Sequence, residues 1–286
     1  HKPNKKRKKA IRRKQVFMKV INIRNLSIGS GMPVICAPVT GRDMKEITDQ
    51  AEKVSESAAD MLEWRCDWFE EKTVSAFMTA LGNIREAVGD EMPVLMTLRT
   101  RSEGGEWDIS PEDYMKIYKN LIDKADTCNG TFPDKLPGTG HDIFPDLIDV
   151  QLSAGEEIVS ALVSAAHKKD IKVIMSSHDF NKTPSSDHMK RILLNMQEAG
   201  ADIAKMAVMS RSMQDVLRLL SVTEEMSRSL QIPLITMAMG RMGLITRLSG
   251  EDFGSAVTFG TAGRASAPGQ IDTERLKDVL KLIHES

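Results

Sequence analysis

Short apolar runs alternate with longer amphipathic stretches from Val34 to the C-terminus, and this alternation restricts the fold more than any other pattern. The short runs have the length and residue types of strands, whereas the longer stretches have the period of helices. Candidate strands lie at 33–39, 61–67, 93–99, 147–152, 172–178, 203–208, 233–239 and 256–262. Candidate helices lie at 43–57, 73–88, 111–125, 155–168, 185–199, 212–229 and 272–284.

Repeated βα units form parallel sheets, and eight of them in about 250 residues are typical of a barrel. The chain of 286 residues therefore predicts an α/β protein with a single-domain (β/α)8 TIM barrel. An open, doubly wound sheet has the same local alternation and stays the alternative.

The chain has no apolar run near the roughly 20 residues that a membrane-spanning helix needs, so we expect no membrane partner. Its three cysteines, Cys36, Cys66 and Cys128, show no CxxC spacing. We interpret them as free thiols in a reducing cytoplasm.

Positive charge is concentrated at the N-terminus, because residues 1–17 hold nine Lys or Arg and no acid. With a net charge of −1 for the chain, the remainder carries −10 (−1 minus 9). A body of that charge repels nucleic acid, so we expect no nucleic-acid partner. We predict that 1–17 is a disordered basic extension and 18–286 the catalytic barrel.

One segment, 127–146, breaks the regular spacing with many Gly, Pro and Asp residues and is predicted to be a loop. It connects a helix to the following strand. In a barrel such connections lie opposite the active site, so we expect this insertion to serve stability or contacts.

Charged side chains interrupt the second predicted strand. Glu63, Arg65 and Asp67 share one face by the two-residue period, and the apolar residues between them share the other. Parallel strands are usually apolar throughout, so this charged face is expected to point into the barrel. A purely structural network of buried ion pairs is the alternative.

Polar residues also end the third and fifth predicted strands. Arg99 ends the third, Glu103 follows in its loop, and His178 is the only one of six histidines that ends a strand. Barrel enzymes take their catalytic groups from these strand ends. The histidines show no metal-ligand spacing, so we predict no metal.

Lys205 is the sharpest feature, a lone lysine within the apolar strand IAKMAV. Burial lowers the pKa of a lysine and frees its amine to act as a nucleophile, and nearby cations would act in the same direction. The alternative is a lysine whose side chain reaches water from a strand end.

The C-terminal region adds Arg247 and the small-residue segment 260–271 after the last strand. That segment is compatible with a mobile lid, with a phosphate cradle, or with a plain flexible loop.

These pieces together resemble the type I 3-dehydroquinate dehydratase family from about Val34 to Ile271. The matching motifs are EWR at 63–65, TLRTRSEGG at 97–105, SSHDF at 176–180, AKMAV at 204–208, TMAMGRMGLITRLSGEDFGSAVTFG at 236–260 and SAPGQI at 266–271. Their occurrence in this order is far more specific than any one of them.

The resemblance implies an enzyme of the shikimate pathway, which leads to aromatic amino acids. It would dehydrate the anionic substrate 3-dehydroquinate through a Schiff base, without a cofactor, and barrels of this family are commonly dimeric. Lys205 would form the imine, His178 would transfer protons, and Glu103 would support them. Arg247 would bind the substrate carboxylate. The further substrate-binding residues would be Glu63, Arg65 and Arg99 at the ring hydroxyls, Ser266 and Gln270 in a lid, and Phe180, Met237, Met239, Phe259 and Ala267 in the apolar walls.

Two residues depart from the family pattern, and the insertion at 127–146 is longer than usual. Gln151 stands where an acid is more common, and Ser177 where a larger polar residue is more common. The first departure affects the hydrogen bonding behind His178, because Gln151 points inward from a neighbouring strand.

Two other functions compete with this one. They are a class I aldolase, which also uses a lysine imine, and a non-catalytic barrel that binds a small carboxylate.

Overall fold

The computed structural model of this chain describes residues 19–124, 144–263, 266–267 and 269–286. The basic extension 1–17 lies outside these residues, as does most of the insertion at 127–146. Only the end of that insertion, 144–146, is described, and it joins the following strand at the strand's N-terminal end.

A short antiparallel hairpin, β1 (Ile21–Ile23) and β2 (Leu26–Ile28), precedes the main sheet. Ile23 and Ile28 point into the same apolar cluster as the lower interior of the barrel. The hairpin therefore closes the N-terminal end of the barrel. Sequence analysis did not predict it as a pair of strands.

Eight parallel strands follow in sequence order around the main sheet. They are β3 (Val34–Val39), β4 (Met61–Arg65), β5 (Val94–Thr97), β6 (Leu147–Gln151), β7 (Lys172–Asp179), β8 (Ile203–Met209), β9 (Leu234–Met239) and β10 (Val257–Thr261). A ninth short strand, β11 (Ile271–Asp272), extends the sheet beside β10. These eight strands agree with the predicted ones to within two residues at each end.

The barrel closes where β9 meets β10. A parallel bridge joins Leu234 to Ser255, and the Ala256 N–H donates to the Leu234 carbonyl at 2.7 Å. The Ser255 hydroxyl also accepts from the Thr236 N–H at 3.0 Å. The (β/α)8 TIM barrel is thereby confirmed, and the open doubly wound sheet is wrong.

Helices cover the outside of the barrel. They are α1 (Met44–Ser55), α2 (Val74–Val88), α3 (Pro111–Lys124), α4 (Glu156–His167), α5 (Ser186–Glu198), α6 (Met213–Ser229), α7 (Leu244–Leu248), α8 (Gly250–Phe253) and α9 (Thr273–His284). Side-chain caps fix several of their first turns, including a capping box between Ser212 and Asp215 on α6. The irregular seventh connection contains the two short helices α7 and α8. None of the described helices is long and apolar enough to cross a membrane.

The two-residue period of the strands separates two layers of core. On β4, Leu62 and Trp64 pack outward against the helices, whereas Met61 belongs to the apolar interior of the barrel. On β8, Ala204 and Met206 pack outward. Buried apolar residues therefore fill the lower interior, and the charged face of β4 comes to lie at the upper, C-terminal end.

A carboxylate that is 12% exposed joins three elements at the N-terminal end of the barrel. Asp146, just before β6, accepts from Arg24 of the hairpin, from Arg85 of α2 at 2.8 Å and from the Val94 N–H at 2.8 Å. Arg85 is only 1% exposed. Removing the carboxylate would leave that guanidinium buried without its counter-charge.

We therefore expect Asp146→Ala to lower the free energy of unfolding by about 3 kcal/mol, measured by urea denaturation. Asp90 is the matched control, because it lies 4.0 Å from Arg24 and is 53% exposed. Asp90→Ala should lower the free energy by less than about 1 kcal/mol. Equal losses in the two variants would contradict the assigned role of Asp146.

Candidate active site

A cavity of about 570 Å³, partly open to solvent, lies at the C-terminal ends of the barrel strands. Every catalytic and substrate-binding residue nominated from the sequence lines it. The lining consists of Glu63, Arg65, Arg99, Glu103, Gly104, His178, Phe180, Lys205, Ala207, Met237, Met239, Arg247, Phe259, Ser266, Ala267 and Gln270. The fold thus brings together residues from five strands, namely β4, β7, β8, β9 and β10, and from the segments that follow β5, β7, β9 and β10.

The Lys205 amine is enclosed by two carboxylates and an aromatic ring. Its Nζ lies 3.4 Å from Glu63 Oε1, 3.5 Å from Asp149 Oδ2 and 4.3 Å from the centre of the Phe259 ring. The residue is 4% exposed and faces the cavity. The hypothesis of a lysine that snorkels to water is therefore wrong. From the sequence we expected cationic neighbours for this amine, whereas two carboxylates lie within 3.5 Å of Nζ.

Asp149 is the central counter-charge of the interior. It is fully buried and accepts from Arg99 at 2.8 Å and from the Ser176 hydroxyl at 2.6 Å. Burial by itself would raise the pKa of Asp149, but Arg99 and Lys205 outweigh it and the pKa is lowered. Asp149 therefore stays ionised and holds both cations in place.

His178 and Glu103 form the second pair in the cavity. Nδ1 of His178 lies 2.9 Å from Glu103 Oε2. Burial, reinforced by the charges of Arg99, Lys205 and Arg65, lowers the pKa of His178 well below 6.5. Burial likewise raises the pKa of Glu103 above 4.5, against the opposing effect of Arg99.

A neutral imidazole carries one N–H. When Glu103 is ionised, its carboxylate accepts a hydrogen bond from that N–H, which places the proton on Nδ1. The other ring nitrogen, Nε2, then has a free lone pair. This is the state that a general base requires.

Asp67 binds the guanidinium of Arg65. The sequence predicted that both residues lie on the same face of their strand. Nε and one terminal nitrogen of Arg65 each donate to Asp67 at 2.8 Å. Asp67 lies past the end of β4, which stops at Arg65, and also accepts from the Glu106 N–H at 3.0 Å. Asp67 therefore fixes Arg65 from outside the cavity lining and does not project into the cavity.

Arg247, on α7, contributes a further cation to the cavity. It is 1% exposed and donates to Met237 Sδ at 3.7 Å and to the Phe259 carbonyl at 3.5 Å. Burial lowers the pKa of Arg247 to about 10, so the group keeps its charge at neutral pH.

Phe180 covers His178 on the solvent side. The two rings are stacked at 6.5 Å between centres, and Phe180 is 37% exposed. Gly104 makes this possible, because a Cβ at that position would lie 2.3 Å from the Phe180 ring. Its backbone is also left-handed, with φ of 81°. The other apolar walls are Met237, Met239, Phe259, Ala207 and Ala267.

Ser266 and Gln270 face each other at the edge of the cavity. The Ser266 N–H donates to Gln270 Oε1 at 2.8 Å, and Gln270 Nε2 donates to the Ser266 hydroxyl at 3.1 Å. Their proposed lid role needs neighbouring residues that lie outside the described part of the chain.

Three participants were not nominated from the sequence, namely Asp149, Gly104 and Ala207. Asp149 had a usable indication, because it is an acid on an inward-facing strand position. Gly104 and Ala207 carry no chemical group that a pattern could single out. Over the described residues, no group of three His, Cys, Asp or Glu side chains is arranged to hold a metal ion.

Known proteins match this chain over most of its length. A family model described as type I 3-dehydroquinase matches residues 35–286. The 3-dehydroquinate dehydratases of Clostridium novyi (strain NT) and Clostridioides difficile (strain 630) are 40% and 41% identical to this chain, each over 93% of it. The alignments cover 99% and 98% of those relatives.

A solved structure gives the same result. The crystal structure of the type I 3-dehydroquinate dehydratase from Clostridium difficile with covalently modified comenic acid has a TM-score of 0.83 and 40% identity. It matches over 93% of this chain and 98% of its own.

The environment of His178 predicts a neutral imidazole throughout the neutral range. An NMR titration of the histidine ring signals, assigned with a His178→Asn variant, should give His178 a midpoint well below 6.5. The unfolded chain binds a proton at this histidine near pH 6.5 that the folded chain does not. The contribution of His178 to the free energy of unfolding should thus decrease as the pH falls below about 6.5. A midpoint at or above that value would contradict the assignment.

Proposed function

The chain belongs to the type I 3-dehydroquinase family, and on that premise we propose that it is a hydro-lyase that dehydrates 3-dehydroquinate through an imine on Lys205. The product is 3-dehydroshikimate, which places the enzyme in the shikimate pathway. The observation that carries the proposal is one buried amine facing a cavity that also holds a neutral imidazole and several cations.

Imine formation begins with the amine of Lys205. Nζ must lose a proton before it can attack the substrate ketone, and the Glu63 and Asp149 carboxylates lie within 3.5 Å of it. Attack gives a carbinolamine, and loss of one water from it gives a protonated imine. The positive imine then accepts the electrons that are released when the neighbouring carbon loses its proton.

His178 moves the protons in the following steps. Its neutral ring takes the α proton through Nε2, and Glu103 stabilises the resulting imidazolium through Nδ1. The imidazolium then returns that proton to the departing β-hydroxyl, which leaves as water. General acid–base help of this kind contributes roughly 10² to 10⁴ in rate. Hydrolysis of the imine releases the product and restores Lys205.

Arg247 binds the substrate carboxylate in this proposal. A buried guanidinium pairs strongly with a carboxylate, and an anionic substrate needs a local cation in a body that is acidic overall. Glu63, Arg65 and Arg99 contact the ring hydroxyls or hold the network beneath them. Phe180, Met237, Met239, Phe259 and Ala267 form the walls, and Ser266 and Gln270 close over the ring.

The cellular setting is also part of this proposal. Cys36 and Cys66 are buried free thiols that form no disulfide, which suits a reducing cytoplasm.

We propose a homodimer, since apolar side chains of α6 and α7 are about half exposed. Examples are Met213, Leu217 and Ile245, with 52%, 54% and 44% of their surface accessible.

The Lys205→Ala variant should lose turnover and should form no adduct with 3-dehydroquinate and borohydride. The reason is that borohydride traps only an imine, and no other amine lines the cavity among the described residues. Intact-mass analysis gives the answer. Lys172→Ala is the matched control, because Lys172 also lies on a barrel strand but pairs with Asp170 away from the cavity. An adduct that persists in Lys205→Ala would refute the proposal.

The His178→Ala variant should still form the trapped imine but turn over about 10² to 10⁴ times more slowly. The two steps separate because the imine forms on Lys205, whereas proton removal follows it. Single-turnover kinetics beside borohydride trapping measures both. A variant with nearly normal kcat would remove His178 from the mechanism.

A further inference from the structure

Gln151, the last residue of β6, has an amide whose orientation is fixed by its partners. The Thr100 N–H can only donate, and it donates to Gln151 Oε1 at 2.8 Å. The amide nitrogen must therefore lie on the other side, where it donates to the Thr100 hydroxyl at 2.9 Å and to the Ser153 hydroxyl at 3.4 Å. Gln151 is 1% exposed, so its amide has little access to water.

The direction of donation continues from Ser153 to the catalytic pair. Because the Ser153 oxygen accepts from Gln151, its own proton is available to Glu103 Oε1, to which it donates in a short hydrogen bond. The second oxygen, Oε2, receives Nδ1–H of His178 at 2.9 Å. Donors therefore converge on Glu103 from both sides.

Gln151 also holds the backbone that carries Glu103. Thr100 precedes the short 3₁₀ turn Arg101–Glu103, and the Glu103 N–H donates to the Thr100 carbonyl at 3.0 Å. Movement of Thr100 away from Gln151 would displace Glu103 with it.

We propose that Gln151 is a positioning residue, whose uncharged amide pins Thr100 and sets the direction of a hydrogen-bond chain through Ser153 and Glu103 to His178. This inference rests on the proposed function, because it concerns the base of that reaction. Gln151 does not line the cavity, so its action passes through other side chains.

The charges around Glu103 show what the amide of Gln151 changes, relative to the acid that is more common at this position in the family. Glu103 already faces Arg99 from the end of β5, at 3.5 Å, Asp149 from β6 and His178 from β7. A carboxylate at 151 would add another negative charge beside Glu103 and Asp149. It would also accept the Ser153 proton in place of Glu103, which reverses the chain.

The test is Gln151→Glu, which changes the charge and the donor but hardly the shape. We expect kcat to fall about tenfold with KM changed less than about twofold, because the base and not the substrate contacts is affected. The added negative charge favours protonated His178. The acidic limb of the pH profile of kcat/KM and the NMR midpoint of His178 should therefore both move upward, by about one pH unit.

Ser153→Ala is the second variant. Ser153 is exposed, so this variant should fold even if Gln151→Glu does not. It removes one donor to Glu103 and leaves Thr100 pinned. We expect kcat about threefold lower and the same upward direction of the acidic limb.

Gln50→Glu is the matched control. Gln50 also accepts a backbone N–H that follows a barrel strand, from Thr40 at 2.8 Å, but this bond lies outside the chain of hydrogen bonds that reaches His178. It should leave kcat and both pH readouts unchanged. An unchanged His178 midpoint in both Gln151→Glu and Ser153→Ala would overturn the inference. The NMR midpoint of His178 is measured without substrate. A failure of this inference can therefore be distinguished from a failure of Lys205 to form an imine.

Discussion

The pairing of buried charges around Asp149 is the constraint on which the site depends. Ionised groups inside a barrel are stable only when each has a counter-charge and hydrogen bonds. Asp149 supplies these to Arg99 and Lys205 at once, and Ser176 satisfies its other oxygen. Because this carboxylate lies at the base of the cavity, the groups that face the substrate are held by bonds from below. Their upper sides stay available for chemistry.

The barrel divides its interior so that stability and chemistry do not compete. Ile23 and Ile28 of the hairpin, with the apolar inward residues of the strands, fill the lower half. The upper half contains the charged and polar side chains that line the cavity. Inward-facing residues of a strand are two positions apart, so one such residue can lie in the lower half and the next in the upper half. On β8 the apolar Ile203 and the amine of Lys205 are separated by this step.

The reactivity of the site follows from the different protonation states of its buried ionisable groups. Burial among cations keeps His178 neutral, whereas the same cations keep Asp149 ionised. The imidazole can therefore take a proton while Asp149 stays ionised. Hydrogen-bond direction then decides which ring nitrogen is the base, and Glu103 and Ser153 determine that direction.

The sequence by itself determined the repeated βα units, the strand positions and the inward face of β4, because strand and helix periods are local properties of the chain. Closure of the sheet into a barrel was shown only by the bridge between Leu234 and Ser255. The sequence also singled out Lys205 and His178, since a charged or polar residue within or at the end of an apolar strand is visible without coordinates. Only the tertiary structure decided the pairings, such as Glu63 with Lys205, which are 142 residues apart. Period identifies the face of a residue, but the distance across the barrel depends on the register and closure of all eight strands. For the same reason the role of Gln151 became apparent only when β6 was placed beside the loop that follows β5.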